Sequence, residues 1–154
     1  MKIKIALFIL LLIVSYSKSY SQISRTPYKG TNIILIQTDE SIEKSYENFL
    51  QVLADCNFKI KSINKDDWSI ETEKKWISGA NSSLAILAKV YPDEGKDGAL
   101  IEITGIVTSS MGMSYFETKV TFNPNMDDSI TEAFQTMQSI AVKYPKGKIF
   151  YTEE

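Results

Sequence analysis

The sequence predicts an α+β fold, a two-layer sandwich in which two helices cover one face of an antiparallel sheet. The order is strand, helix, five strands, helix, strand. Three observations predict it. Two segments, one near each end of the chain, carry apolar residues at steps of three and four. The stretch between them, residues 58–122, alternates apolar and polar residues with period two. Neither a repeat nor a linker rich in proline and glycine divides the chain, so both patterns must serve one core.

The elements follow in order. Residues 32–37, "NIILIQ", are short, apolar and β-branched, and predict a buried strand. Ile42, Tyr46, Phe49, Leu50, Leu53 and Ala54 make one helical stripe. Ser41 is its N-cap, with Asp39, Glu40 and Glu43 suited to the positive helix start. Asn57 takes the left-handed turn that ends it, and Phe58 folds back onto Leu53. Phe58 and Ile60 then alternate with Lys59 and Lys61, and Trp68, Ile70 and Thr72 with Ser69, Glu71 and Glu73, across the turn formers "NKDD". Lys74, Lys75 and "SGANSS" leave the strand, with Trp76 packed over a sheet edge. Residues 84–91 and 99–107 flank the hairpin loop "PDEGKDG", and residues 115–122 follow the loop "TSSMGMS". Gly105, inside a strand, implies a bulge or a close approach of another element. Ser129 and Glu132 form a capping box before the stripe Ile130, Ala133, Phe134, Met137, Ile140, Ala141 and Tyr144. Pro145 and Gly147 stop that helix, and "KIFYT" is the last strand.

Ahead of all this lies a leader. Lys2 and Lys4 precede the apolar run "IALFILLLIV" and the small polar segment "SYSKSYSQ", the three-part layout of a secretory signal peptide. The run is about half the roughly 20 residues a bilayer span needs. Cleavage is expected before Gln22, with cleavage after Ser17 as the alternative. The expected division is therefore residues 1–21 as signal peptide, 22–31 as a flexible lead-in and 32–154 as a single domain. Removing the leader takes three of the 17 basic residues and none of the 19 acids, for a net charge of −5. That balance disfavours nucleic acid and anionic lipid as partners, and the mature chain is expected to hold no stable membrane span. Cys56, the single cysteine, forms no internal disulfide and reads as a small buried hydrophobe.

The helix ending "LADCNF" and the following "KIKSINKDDWSIETE", set in this element order, resemble helix-grip and TBP-like domains. They also look like domains of Gram-negative envelope proteins such as the C-subunit lipoprotein of the barrel-assembly machine. The resemblance spans the element order of most of the mature chain. It implies the fold and an envelope setting and carries no catalytic motif. The anchor cysteine of that lipoprotein has no counterpart here.

The chain has no histidine, which excludes Ser-His-Asp and Cys-His catalysis and His-based zinc sites. Asp66, Asp67, Glu71 and Glu73 are the one candidate carboxylate group for hydrolysis, but Lys61, Lys65, Lys74 and Lys75 crowd them and favour a solvated hairpin tip. "DEGKDG" matches a calcium loop at Asp93, Asp97 and Gly98 but lacks two ligands. Met111 and Met113 have thioether spacing but are too few to hold copper. No cofactor and no metal site is expected. If Ile86, Val90, Ile101, Ile103, Phe116 and Val120 face the helices, then Leu87, Tyr91, Leu100, Ile106 and Tyr115 face away. Leu87, Tyr91, Ile106 and Tyr115 are the candidate partner face, since contiguous apolar residues on a flat sheet mark a contact. The predicted function is a non-enzymatic exported binding or accessory protein of the envelope, whose partner is another envelope protein or a second copy. The alternative is a carrier of a small apolar ligand, held between the sheet and the C-terminal helix by Phe134, Met137 and Trp68.

Overall fold

Local signals set the two helices. In the computed structural model, Ser41 Oγ accepts from the Lys44 N–H and starts α1 (Ile42–Asp55). Asn57 ends it at φ 58°, with the Asn57 N–H on the Ala54 carbonyl and the Phe58 N–H on the Leu53 carbonyl. This is the left-handed stop that satisfies the last free carbonyls of a helix. Residues 23–154 are described, apart from 78–80, 95, 112–113 and 126–128. The leader, its cleavage site and the Met111–Met113 pairing fall outside the described residues.

The strands are β1 (Ile33–Thr38), β2 (Ile60–Asn64), β3 (Ser69–Thr72), β4 (Lys75–Trp76), β5 (Ser82–Pro92), β6 (Ala99–Met111), β7 (Ser114–Lys119) and β8 (Lys148–Thr152), with α2 (Ser129–Lys143) before β8. They form one sheet in the order β2-β3-β5-β6-β1-β8, every pair antiparallel. The long β5–β6 hairpin is its spine. β3 and β4 lie end to end along the free side of β5, and β1 and β7 lie end to end along the free side of β6. The architecture is the two-layer α+β sandwich of the sequence reading.

Both helices bury their stripes on one sheet face. Phe49 and Leu53 of α1 and Phe134, Met137 and Ile140 of α2 meet Ile34, Ile36, Ile86, Ile101 and Ile103, all essentially without exposure. Each such side chain contributes roughly 1.5–3 kcal/mol of burial. Gly105 explains itself here. A Cβ at this position would lie 2.7 Å from Met137 Sδ, so close approach of α2 is the reason for the glycine.

Several expectations need correction. Among the described residues six strands, not five, separate the helices. The chain does not leave the sheet at Lys74. The Glu73 N–H turns aside to the Lys59 carbonyl, and Lys75 and Trp76 then pair with Leu84 and Ser83 as β4. Trp76 does not pack over an edge and is 71% exposed. Trp68 does not lie in the alternating strand. It closes the turn at residues 65–68 with φ 54°, half-buried with its ring edge-on to Tyr46. Cys56 is not a core residue but the half-buried C-cap of α1. At the end of α2 the left-handed residue is Lys146, at φ 60°. Residues 23–31 are not a free lead-in. Ser24 exchanges two backbone bonds with Tyr151 on the outer edge of β8, and Gly30 and Thr31 bond Phe122.

Candidate functional site

The pleat sends alternate residues of the spine to the face without helices. On β5 these are Ser83, Ala85, Leu87, Lys89 and Tyr91. Opposite them on β6 stand Thr108, Ile106, Thr104, Glu102 and Leu100. Outward β7 residues follow from register: Lys119 opposes Ile106, Glu117 opposes Thr108 and Tyr115 opposes Ser110. The four candidate residues therefore do face away from the helices, but they are not one patch. Leu87 and Ile106 lie diagonally adjacent at the centre. The Lys89–Glu102 pair separates them from Tyr91 and Leu100. Tyr115 stands apart on β7, at the rim, and is 76% exposed.

The sheet curls about this centre. One concavity of about 300 Å³ is lined by Ser62, Asn64, Ser69, Glu71, Lys89 and Glu102, and another of about 320 Å³ by Ile106, Glu117, Lys119 and Glu154. Both include Leu87 and Thr104, so they meet there. Ion pairs form the walls: Lys61–Glu71 at 2.6 Å, Lys74–Glu117 at 2.8 Å and Lys119–Glu154 at 2.6 Å. The second of these crosses β5 and β6. Beneath it Ser83, Ala85 and Thr108 are buried although they face outward, and Thr108 Oγ1 donates to the same Glu117 oxygen at 3.5 Å. The hydrogen bond from Lys61 holds Glu71 below the usual carboxylate range, and the one from Lys74 does the same for Glu117. Burial, with the Glu102 charge beside it, pushes the Tyr91 phenol up.

The other candidates resolve into structural roles. The Asp67 carboxylate accepts from Ser69 Oγ at 2.7 Å, and the Asp66 backbone N–H donates to Asn64 Oδ1 at 2.9 Å, so both residues belong to the hairpin turn. A general acid needs a raised pKa, and Glu71 moves the other way. Asp93 accepts from Gln37 Nε2, which ties the β5–β6 loop to β1. Phe134 and Met137, expected to line a ligand cavity, are fully buried against their neighbours, and Trp68 packs on Tyr46.

The sequence reading missed Trp76. The exposed indole stands between a concavity of about 240 Å³ and one of about 390 Å³, both also lined by Lys75. Its only signal is the loss of alternation at "EKKW", which also reads as a loop. No protein-family model matches this chain, and no curated protein matches it.

Proposed function

We propose that this chain is a non-enzymatic exported protein of the cell envelope that binds a segment of another envelope protein on its outer sheet face. The observation that carries the reading is the pair of concavities joined at Leu87 and Thr104. Their floor offers Leu87 and Ile106 to an apolar side chain, and their walls offer alternating lysines and glutamates to a polar main chain. A small apolar centre inside a charged rim is the anatomy of a modest, specific contact. Export rests on the Lys2/Lys4 start, the apolar run at residues 5–14 and the Ser19-Tyr20-Ser21 tail. Among the described residues no helix is long and apolar enough to cross a membrane.

The test is affinity capture from the native envelope fraction with wild-type protein and with Leu87→Glu and Ile106→Glu, the two apolar residues on the floor of the concavities. Circular dichroism checks that each variant is folded. A partner held by wild type and lost from both variants is the expected result. Equal recovery by all three proteins sinks the reading. Mass spectrometry of the native protein should find Gln22, or a residue within a few positions, at the N-terminus.

A further inference from the structure

We infer that β7 is a self-pairing edge, on which a second copy of this chain adds its own β7, antiparallel, about a two-fold axis at Phe116. Among the described residues β7 has a strand on one side only. Its bonds to β6 run through alternate residues. The Val120 N–H reaches the Gly105 carbonyl, and Thr118 and Phe116 fall in the same phase. The N–H and C=O groups of Tyr115 and Glu117 therefore point away from β6. They form an open row that another strand can extend.

The other edges are short or blunted, β4 being only the two residues Lys75 and Trp76. Ser24 pairs with β8 at Tyr151. β2 carries Lys61, is flanked by Lys59 and Lys65, and slips register between Ile60 and Ser62. β7 keeps six consecutive pairs with β6, contains neither proline nor glycine, and exposes Tyr115 by 76% and Phe116 by 54%. A long regular edge bearing exposed aromatics is the kind that native proteins otherwise protect.

Charge and shape select the occupant and the register. Centring the pair on Glu117 sets that carboxylate against its own twin, which is unfavourable. Centring it on Thr118 reaches Val120, which is buried, and runs on to Phe122, which is bonded to Thr31. Centring it on Phe116 sets Phe116 against Phe116, Tyr115 against Glu117 and Ser114 against Thr118, with no like charges opposed. This register places both exposed aromatics at the middle of a contact that runs from Ser114 to Thr118, whereas centring on Tyr115 would engage only Ser114–Phe116 of β7. The two aromatics cover roughly 300 Å² per copy. That is below the roughly 800 Å² per partner of a standard interface, so the dimer is weak and concentration-dependent.

The experiment uses protein expressed from the full-length gene and purified as the cell delivers it. Sedimentation of wild type should move from monomer to dimer between roughly 1 µM and 1 mM. Glu117→Pro removes one outward N–H without breaking a backbone bond to β6, and should raise the required concentration at least tenfold, whereas Glu117→Gln, which changes the same carboxylate but keeps the N–H, should not. In a Cys56→Ser background, Phe116→Cys should form an intermolecular disulfide under mild oxidation, because twins at a two-fold non-hydrogen-bonded site lie about 4.5 Å apart. Thr118→Cys, four residues from its twin in this register, should not. A monomer throughout the range, a dimer indifferent to Glu117→Pro, or cross-linking at 118 as readily as at 116 would each overturn the inference.

Discussion

Gly105→Ala adds one methyl group to the tightest point between the sheet and α2. Its Cβ would stand 2.7 Å from Met137 Sδ, 2.9 Å from Val120 Cγ2 and 3.0 Å from Leu84 Cδ1. Ordinary contacts of this kind lie near 3.5–4.0 Å, so three neighbours must each retreat by roughly 0.5–1 Å. All three are at most 1% exposed, and none can swing into solvent. Overpacking by a methylene costs roughly 1–3 kcal/mol. Removing the conformational freedom of glycine returns roughly 0.5–1 kcal/mol. The expected net loss is about 1–2 kcal/mol, read from urea unfolding as a lower midpoint at constant slope. Met137→Ala alone should cost about 2–5 kcal/mol through the cavity it leaves. The double variant should fall short of the sum by about 1 kcal/mol or more, because the added methyl and the deleted side chain contend for one space. A stabilised Gly105→Ala, or a double variant additive within about 0.3 kcal/mol, would refute this packing of α2 on β6.

Tyr46→Phe should stabilise the fold by about 1 kcal/mol in the same assay, since its buried hydroxyl has no hydrogen-bond partner among the described residues. Burial, and secondarily the Asp67 charge, raise that phenol above its usual 10.0. Its share of stability is therefore full below pH 10 and lost as pH rises beyond, so the alkaline loss should shrink in Tyr46→Phe. Lys75→Met should cost about 1 kcal/mol by thermal melting, because Lys75 Nζ donates to the Cys56 carbonyl at 2.7 Å at the negative end of α1 and lies 4.7 Å from the centre of the Phe58 ring. Glu71 and Glu117 are lowered below 4.5, so the stability they lend is present above that pH and fades as pH falls beneath it. Lys74→Met should remove the Glu117 share of the acid limb and leave the Lys61–Glu71 share.

What was legible in the sequence is what neighbours along the chain decide. The Ser41 cap, the Asn57 stop and both apolar stripes depend on residues within one or two turns of each other. The outward set Leu87, Tyr91, Ile106 and Tyr115 was legible too, because the pleat has period two. Their separation was not. The wedge of Lys89 and Glu102 depends on the β5–β6 register, and the position of Tyr115 depends on which side of β6 receives β7. The reach of Lys74 to Glu117 needs a curl of the whole sheet, which no local pattern encodes. Trp68 misled because a tryptophan beside Ser69 and Ile70 reads as strand, yet here it takes a left-handed turn position and pays a local strain for its contact with Tyr46.

Among the described residues β1 is the first strand made and among the last to be completed. It lies between β6 and β8, and its Ile33 stands opposite Thr152. This apolar strand must therefore wait, with its partners unmade, until β6 and then β8 have emerged. Such long-range closure slows folding and leaves a sticky edge open during synthesis. A chain that stops before Lys148 would keep its helices and hairpins but bare that edge for good. Early termination or C-terminal trimming should thus produce aggregates rather than a shorter working protein.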